Sequence, residues 1–270
     1  MARRHGTTAW QSGRVLRSYH GGSFAAGRLA ALKQEAATGI SVCIPARNEA
    51  ATVGRVAGAV RAELMERYRL VDELVVVDDG STDSTARVAR EAGAVVVAQR
   101  AAGKGRAMRS GLDQTRGDIV VYLDADIEGF DPGFVVGLVG PLLSDPDLVF
   151  VKASYRRPLA DRPGEGGRVT ELAAKPLLRI LFPQLAAFDQ PLAGEVAGRR
   201  APLEKLDFEP GYGVEVAMLV DLASSYGLAA LGQCDLGERR HRNRPLAELS
   251  PQSETVIRTI LARAGWPPPH

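Results

Sequence analysis

From Ile40 onward, hydrophobic and polar positions fall into two alternating rhythms. Ile40-Ser41-Val42-Cys43-Ile44, Leu74 to Val77, Ala94 to Ala98 and Asp118 to Leu123 are short apolar runs rich in β-branched residues, the pattern of strands covered on both faces. Pro45 is expected to stop the first of them. Between these runs, Thr52 to Tyr68 carries Val53, Val56, Val60 and Leu64 at helical spacing. Ser81-Thr82-Asp83 offers cap chemistry for a helix through Ala92, and Lys104 to Thr115 reads as a third helix. Strand and helix alternating in this way predict an α/β chain with a Rossmann-like, mostly parallel sheet flanked by helices. Such a sheet takes its ligands outside the carboxyl ends of its strands, so residues just after each apolar run are the ones to inspect.

Beyond Asp126 the order is less regular. Helices are expected at Pro132 to Leu143, Val169 to Leu181, Val214 to Tyr226 and Gln252 to Ala264, with strands at Leu148 to Ser154 and Ala229 to Cys234. Residues 1–39, rich in Gly and Arg, read as a loosely ordered arm ending in a short helix from Gly27 to Ala37. Residues 40–128 and 129–266 read as two portions of one domain, and 267–270 as a frayed tail.

Composition narrows the function classes. The formal net charge of the 270 residues is only +2, too balanced for general nucleic-acid or membrane-surface binding. No apolar run approaches the roughly 18 residues that span a bilayer. The two cysteines, Cys43 and Cys234, lack CxxC spacing and read as buried free thiols of a cytoplasmic protein.

Six stretches carry candidate chemistry. Asp124-Ala125-Asp126 closes Val120-Val121-Tyr122-Leu123. Two carboxylates one residue apart at a strand exit can share a hard cation, Mg²⁺ or Mn²⁺, of the kind that offsets charge on a departing diphosphate. A solvated turn or helix cap is the plainer reading of an isolated Asp-x-Asp. Asp78-Asp79-Gly80-Ser81-Thr82-Asp83 ends the second run with acceptors suited to a base N–H or ribose hydroxyls, or with helix caps. Pro45-Ala46-Arg47-Asn48-Glu49 forms a turn after the first run. Gly103-Lys104-Gly105 opens a helix, where backbone N–H groups and Lys104 could cradle phosphate; it is not a Walker A loop, and GxGxxG is absent. Arg239-Arg240-His241-Arg242-Asn243-Arg244-Pro245 holds a histidine able to ligate metal among arginines able to grip phosphate. Gly166-Gly167-Arg168-Val169-Thr170-Glu171 places glycines, a fork donor and a hydroxyl at a helix start, an anion site.

Taken in order, these stretches resemble the glucosyl-3-phosphoglycerate synthases and their mannosyl-transferring relatives, retaining glycosyltransferases of GT-A fold. The likeness runs from about Gly39 to Ala264 and includes Val151-Lys152, Tyr155-Arg156-Arg157-Pro158, Pro191-Leu192-Ala193-Gly194-Glu195 and Pro210-Gly211-Tyr212-Gly213-Val214-Glu215. It implies a nucleotide-sugar-binding portion over 40–128, a C-terminal acceptor-binding portion over 129–266, a divalent metal cofactor and a homodimer. It also implies roles for residues. Pro45, Ala46, Arg47, Glu49 and Asp79 face the nucleotide base, and Lys104 the diphosphate. Asp124, Ala125 and Asp126 lie along the diphosphate and metal, with Asp126 and His241 as direct ligands. Leu192, Glu195 and Glu215 lie near the donor sugar. Gly167, Arg168, Thr170 and Asn243 hold 3-phosphoglycerate. Asp124, Asp126, Lys104 and Glu215 form the catalytic set. The glucosyl enzymes carry Asp-Ser-Asp where Ala125 stands, Leu-Ser-Gly-Glu where Ala193 stands, and a small residue in place of Asp79. Glucose or mannose, and a UDP or GDP donor, thus stay open. A sugar-nucleotidyltransferase should instead carry a Gly-rich basic loop after the first strand, and a non-enzymatic relative has no use for an intact Asp124/Asp126 pair.

Overall fold

The computed structural model describes residues 16–99, 101–156, 167–239 and 246–266. Among these, eight strands form one sheet: β1 (Arg17–His20), β2 (Ile40–Ala46), β3 (Glu73–Asp78), β4 (Val95–Ala98), β5 (Ile119–Tyr122), β6 (Phe150–Arg156), β7 (Val196–Arg199) and β8 (Leu231–Glu238). Their spatial order is β1-β8-β6-β7-β5-β2-β3-β4. All neighbours run parallel except at β7, which is antiparallel to both β5 and β6. The mostly parallel sheet expected from the apolar runs is therefore present, with one reversed strand at its centre.

Helices cover both faces, which is why the strand sequences are apolar at successive positions instead of alternating. Val42, Ile44, Leu74, Val76, Ile119 and Val121 point to one core, under α1 (Ala26–Glu35), α2 (Val53–Ala59), α3 (Thr85–Glu91) and α5 (Gly133–Ser144). Cys43, Val75, Val77, Val120 and Tyr122 point to the other. That second face packs α4 (Lys104–Gln114), α6 (Lys175–Leu181), α7 (Arg200–Glu204), α8 (Val214–Tyr226) and α9 (Leu246–Arg263). Each fully buried Val or Leu contributes about 1.5–3 kcal/mol, so both faces hold the sheet. The two cysteines mark the two cores. Cys43 lies beneath α4, where a Cβ on Gly111 would fall 2.0 Å from its Sγ, and Cys234 lies beneath α5 beside Gly137.

Several expectations need correction. The arm is not loose over its second half. Arg17–His20 pairs with β8 as an edge strand, and Arg17 forms an ion pair with Asp145; a polar edge strand has too weak an apolar signal to read. Pro45 does not end β2, which continues to Ala46 along β3 after its pairing with β5 has stopped at Cys43; an edge-like stretch tolerates the missing N–H. β7 has no counterpart in the reading of the sequence, because Val196-Ala197-Gly198-Arg199 has one β-branched residue and owes its pairing to strands on both sides. The helix from Thr52 to Tyr68 is α2 continued as a π-helical stretch, Val60–Arg67, and Val53, Val56, Val60 and Leu64 are all buried. Similarly, Thr170–Ala174 is a π-helical lead into α6. α9 starts at Leu246, before Pro251, which is accommodated inside the helix. α8 spans the residues its periodicity indicated.

Candidate active site

Parallel strands deliver their carboxyl ends to one edge of the sheet, and the reversed β7 delivers its leading end to that same edge, Val196 standing opposite Tyr122. The edge thus gathers Arg47 after β2, Asp79 after β3, Asp124 and Asp126 after β5, Tyr155 at the end of β6, Gly194 and Glu195 before β7, and Arg239 after β8. Of these, Arg47, Asp79, Asp124, Asp126 and Arg239 line a cleft of about 300 Å³. Its wall includes Pro45, Ala46, Arg47, Glu49, Asp79, Lys104, Asp124, Ala125 and Asp126. Gly167, Arg168, Thr170, Leu192 and Glu215 complete the predicted part of it.

The loops on the nucleotide side are knitted together by backbone-directed bonds. Asn48, at φ 56°, accepts from Thr82 N at 2.8 Å, and its own N donates to Ser81 Oγ at 3.0 Å. Ala50 N and Thr85 N both donate to Asp83, which holds the Asp83 carboxyl below its ordinary range, chiefly through the Thr85 hydroxyl. Ser81, Thr82 and Asp83 are consumed in this seam. Asp79 is not a helix cap: both its oxygens lie 2.9 Å from Gly103 N, so it ties the β3 exit to the start of α4.

That bond corrects the expected phosphate cradle. Gly103 N is spent on Asp79, and Gly105 N donates to Pro210 O at 3.0 Å. A Cβ on Gly105 would fall 1.7 Å from Glu209 O. The two glycines serve close packing of α4 on the 209–210 turn, and the cationic part of the motif is the Lys104 side chain. Lys104 Nζ lies 2.7 Å from Asp124 Oδ1 and 2.6 Å from Glu215 Oε1. Burial works against its charge, but Asp124 and Glu215 outweigh burial and raise its pKa well above the ordinary value. Glu215 is buried in the first turn of α8.

Arg239 is the residue that binds the rest together. Its Nη2 lies 2.9 Å from Asp124 Oδ2 and 3.0 Å from Asp126 Oδ1. Its Nε pairs with Glu195 Oε1 at 2.7 Å, a charge contact without hydrogen-bond alignment. Tyr155 lies under the guanidinium at 5.7 Å, and its OH donates to Glu195 Oε2 at 2.6 Å. Burial again opposes the charge, while Glu195, Tyr155, Asp124 and Asp126 hold the Arg239 pKa well above its ordinary value. Glu195 is fully buried and supports Arg239 from behind instead of forming the cleft wall. Lys152, also fully buried, donates to Ala193 O at 2.8 Å, and burial lowers its pKa to about 8. Ala193 is followed by Gly194, where a Cβ would lie 2.2 Å from Asp124 Oδ1.

The donor set suits a divalent metal. Asp124 and Asp126 direct one oxygen each at a single positive nitrogen, and hard carboxylate oxygens on one point are what Mg²⁺ or Mn²⁺ requires. Among the described residues no third His, Cys, Asp or Glu joins them. His241 and Asn243, expected as metal and acceptor ligands, lie outside the described residues, as does Gly166.

Arg239 drew notice in the sequence only as one of several basic residues able to hold phosphate. Its position would follow from extending β8 past Cys234. Lys152 had a clearer signal, a lone cation inside the run Val149-Phe150-Val151-Lys152-Ala153. Tyr212, Leu249, Gln252 and Val256 also line the cleft. The last three reach it on α9, whose first turns were not expected to be helical.

Comparison with known proteins agrees with this geometry. Residues 41–194 match the family described as glycosyl transferase family 2. The chain is 43% identical over 262 residues to glucosyl-3-phosphoglycerate synthase of Petrotoga mobilis, covering 92% of this chain and 81% of that protein. It superposes with TM-score 0.86 and 43% identity on the crystal structure of glucosyl-3-phosphoglycerate synthase from Mycobacterium tuberculosis in complex with Mn²⁺, UDP-glucose and phosphoglyceric acid, covering 94% and 89% of the two chains. With mannosyl-3-phosphoglycerate synthase from Rubrobacter xylanophilus the TM-score is also 0.86, at 44% identity over 92% of this chain and 80% of the other.

Proposed function

We propose, from the premise that this chain belongs to glycosyl transferase family 2, that it moves glucose or mannose from a UDP- or GDP-sugar to D-3-phosphoglycerate with retention, giving glucosyl- or mannosyl-3-phosphoglycerate, a precursor of an osmolyte or a polysaccharide. The observation that carries this reading is one cleft holding both a cation-seeking pair with its lysine, Asp124, Asp126 and Lys104, and an anion-binding turn, Gly167 to Thr170. The likeness to relatives crystallised with UDP-glucose and phosphoglyceric acid supports it.

In this reading residues 40–128 supply the nucleotide side and 129–266 the acceptor side. Arg47, Glu49 and Asp79 meet the base. Asp124 and Asp126, with His241, would hold a divalent cation, which supplies Lewis-acid neutralisation of the departing diphosphate. Lys104, kept protonated by Asp124 and Glu215, adds fixed positive charge where the leaving phosphate gathers its negative charge. Leu192 and Glu215 border the sugar. Arg168 and Thr170 orient the acceptor phosphate, so the acceptor hydroxyl approaches the face of the sugar that the diphosphate leaves. The bond from the anomeric carbon to the phosphate oxygen breaks, the bond to the acceptor oxygen forms, and the hydroxyl proton passes to the departing phosphate. No protein nucleophile is needed.

Two buried free thiols, Cys43 and Cys234, support a reducing, cytoplasmic setting, and among the described residues no helix is long and apolar enough to cross a membrane. A homodimer is the assembly the family resemblance implies, and exposed Leu172 and Ile180 are apolar positions it could cover. The test of function is a donor panel of UDP-glucose, GDP-glucose and GDP-mannose against 3-phosphoglycerate, with products identified by mass and by NMR of the anomeric centre. An α-linked glycosyl-3-phosphoglycerate from at least one donor is expected; donor hydrolysis alone, with all three, refutes the acceptor assignment.

A further inference from the structure

The guanidinium of Arg239 stands at the point where Asp124 and Asp126 converge. It is 3% exposed, and one of its nitrogens touches Asp124 Oδ2 and Asp126 Oδ1 together. Those are the oxygens available to a shared cation. Lys104 does not compete for that point, since it binds the other oxygen of Asp124 and turns toward Glu215. A guanidinium nitrogen and a divalent ion cannot occupy the same place, because they would share the same lone pairs and repel each other.

We propose that Arg239 is a resident placeholder for the metal: it holds Asp124 and Asp126 together while the cation is away and gives up Asp126 when the cation enters. The inference rests on the reading that Asp124 and Asp126 hold the cation.

The surroundings of Arg239 suit both states. Without a cation, two carboxylates one residue apart repel, and a bidentate-capable guanidinium keeps them converged. When displaced, Arg239 remains compensated on its other side. Glu195 is fully buried 2.7 Å from Nε, fixed in turn by Tyr155 OH, and the Tyr155 ring lies under the guanidinium. A buried arginine stripped of every partner would be strongly unfavourable; Glu195 removes that barrier. The arrangement makes metal binding to the donor-free protein weaker than the carboxylate pair alone would give, since the entering ion must first break charge-assisted contacts.

The experiment uses the full chain without donor. Mn²⁺ binding is titrated by the electron paramagnetic resonance of the free ion for wild type and Arg239→Met, with thermal melting to verify folding, and wild-type crystals are solved with and without Mn²⁺. Arg239→Met is expected to bind Mn²⁺ at least tenfold more tightly than wild type. If that variant does not fold, Arg239→Lys, which loses the fork but keeps a charge, is expected to tighten binding several-fold. In Mn²⁺-loaded crystals Nη2 should lie beyond hydrogen-bond range of Asp126 while Nε stays by Glu195. Unchanged or weaker Mn²⁺ binding in the folded variant overturns the proposal, and so does Mn²⁺ seated on Asp124 and Asp126 with Arg239 still bonded to both. Mn²⁺ bound at a different place, or activity insensitive to chelator, would instead refute the metal assignment on which the inference rests.

Discussion

Replacing Gly194 by alanine should disable the site by displacing Asp124. The added Cβ would lie 2.2 Å from Asp124 Oδ1 and 2.6 Å from its Cγ and Oδ2, so about 1 Å of separation has to be found. The glycine side resists moving: Ala193 O is held by Lys152 at 2.8 Å, and Glu195 O accepts from Ala153 N at 3.0 Å. Gly194 does not have a positive φ, so the cost is steric and not conformational. The shift therefore falls on the Asp124 carboxylate and stretches its contacts with Lys104 and Arg239, now 2.7 and 2.9 Å, past hydrogen-bond range. Each charge-assisted contact is worth about 1.5–3 kcal/mol, and partial relaxation leaves an expected loss of about 2–4 kcal/mol. For a chain of this size that lowers the melting temperature by about 4–7 °C. A 1 Å misplacement at the reacting centre costs roughly a hundredfold in turnover. The assay pairs thermal melting with steady-state release of nucleoside diphosphate, in Gly194→Ala and in Gly194→Ala combined with Asp124→Ala. In the double variant the carboxylate that clashes is gone, so the alanine should add little further destabilisation. An equal stability loss with and without Asp124, or kcat/KM within threefold of wild type for the single variant, would refute this reasoning.

Other outcomes follow from the same charge network. Lys104→Met leaves Asp124 and Glu215 without their shared cation; a destabilisation of about 3–5 kcal/mol is expected, read by urea unfolding, and a loss below 1 kcal/mol would contradict the pairing. Lys152 has a folded pKa of about 8 against an ordinary 10.5 because it is buried. The unfolded chain binds the extra proton between those values, so stability rises with pH across that window and the full penalty applies below it. The difference in unfolding free energy, wild type minus Lys152→Met, should increase by about 2 kcal/mol between pH 7 and 9.5; a flat difference would show that Lys152 is not titrating from a buried state. Arg168→Ala should raise the KM for 3-phosphoglycerate at least tenfold while calorimetry finds donor binding unchanged, and equal loss of both would remove Arg168 from the acceptor site.

What the sequence disclosed is what parallel strands make readable. Asp124, Asp126, Asp79 and Arg47 follow apolar runs directly, and a parallel sheet carries every such position to one edge. Lys104 is legible for a related reason, since it opens a helix, whereas Glu215 is indicated as a site residue only by the family resemblance. The contribution of β7 was not legible. Its leading flank reaches the same edge only because the strand is reversed, and four residues with a glycine do not announce a strand. The resemblance placed Glu195 near the sugar, whereas its burial and its bonds to Arg239 and Tyr155 depend on three elements distant in sequence. Gly103 and Gly105 misled for a different reason: a glycine-flanked lysine has the same appearance whether its amides are free for phosphate or already taken by Asp79 and Pro210.

The two cysteines give the molecule a built-in clock for local opening. Each is sealed beneath a helix, and burial raises both thiol pKa values, that of Cys234 to about 12, so neither forms a reactive thiolate while its helix is seated. Alkylation can proceed only during excursions that lift α4 from Cys43 or α5 from Cys234, and its rate counts those excursions separately for the two halves of the fold. Because α4 begins with Lys104, a ligand gripping that lysine should slow Cys43 labelling more than Cys234 labelling, so occupancy can be followed without turnover.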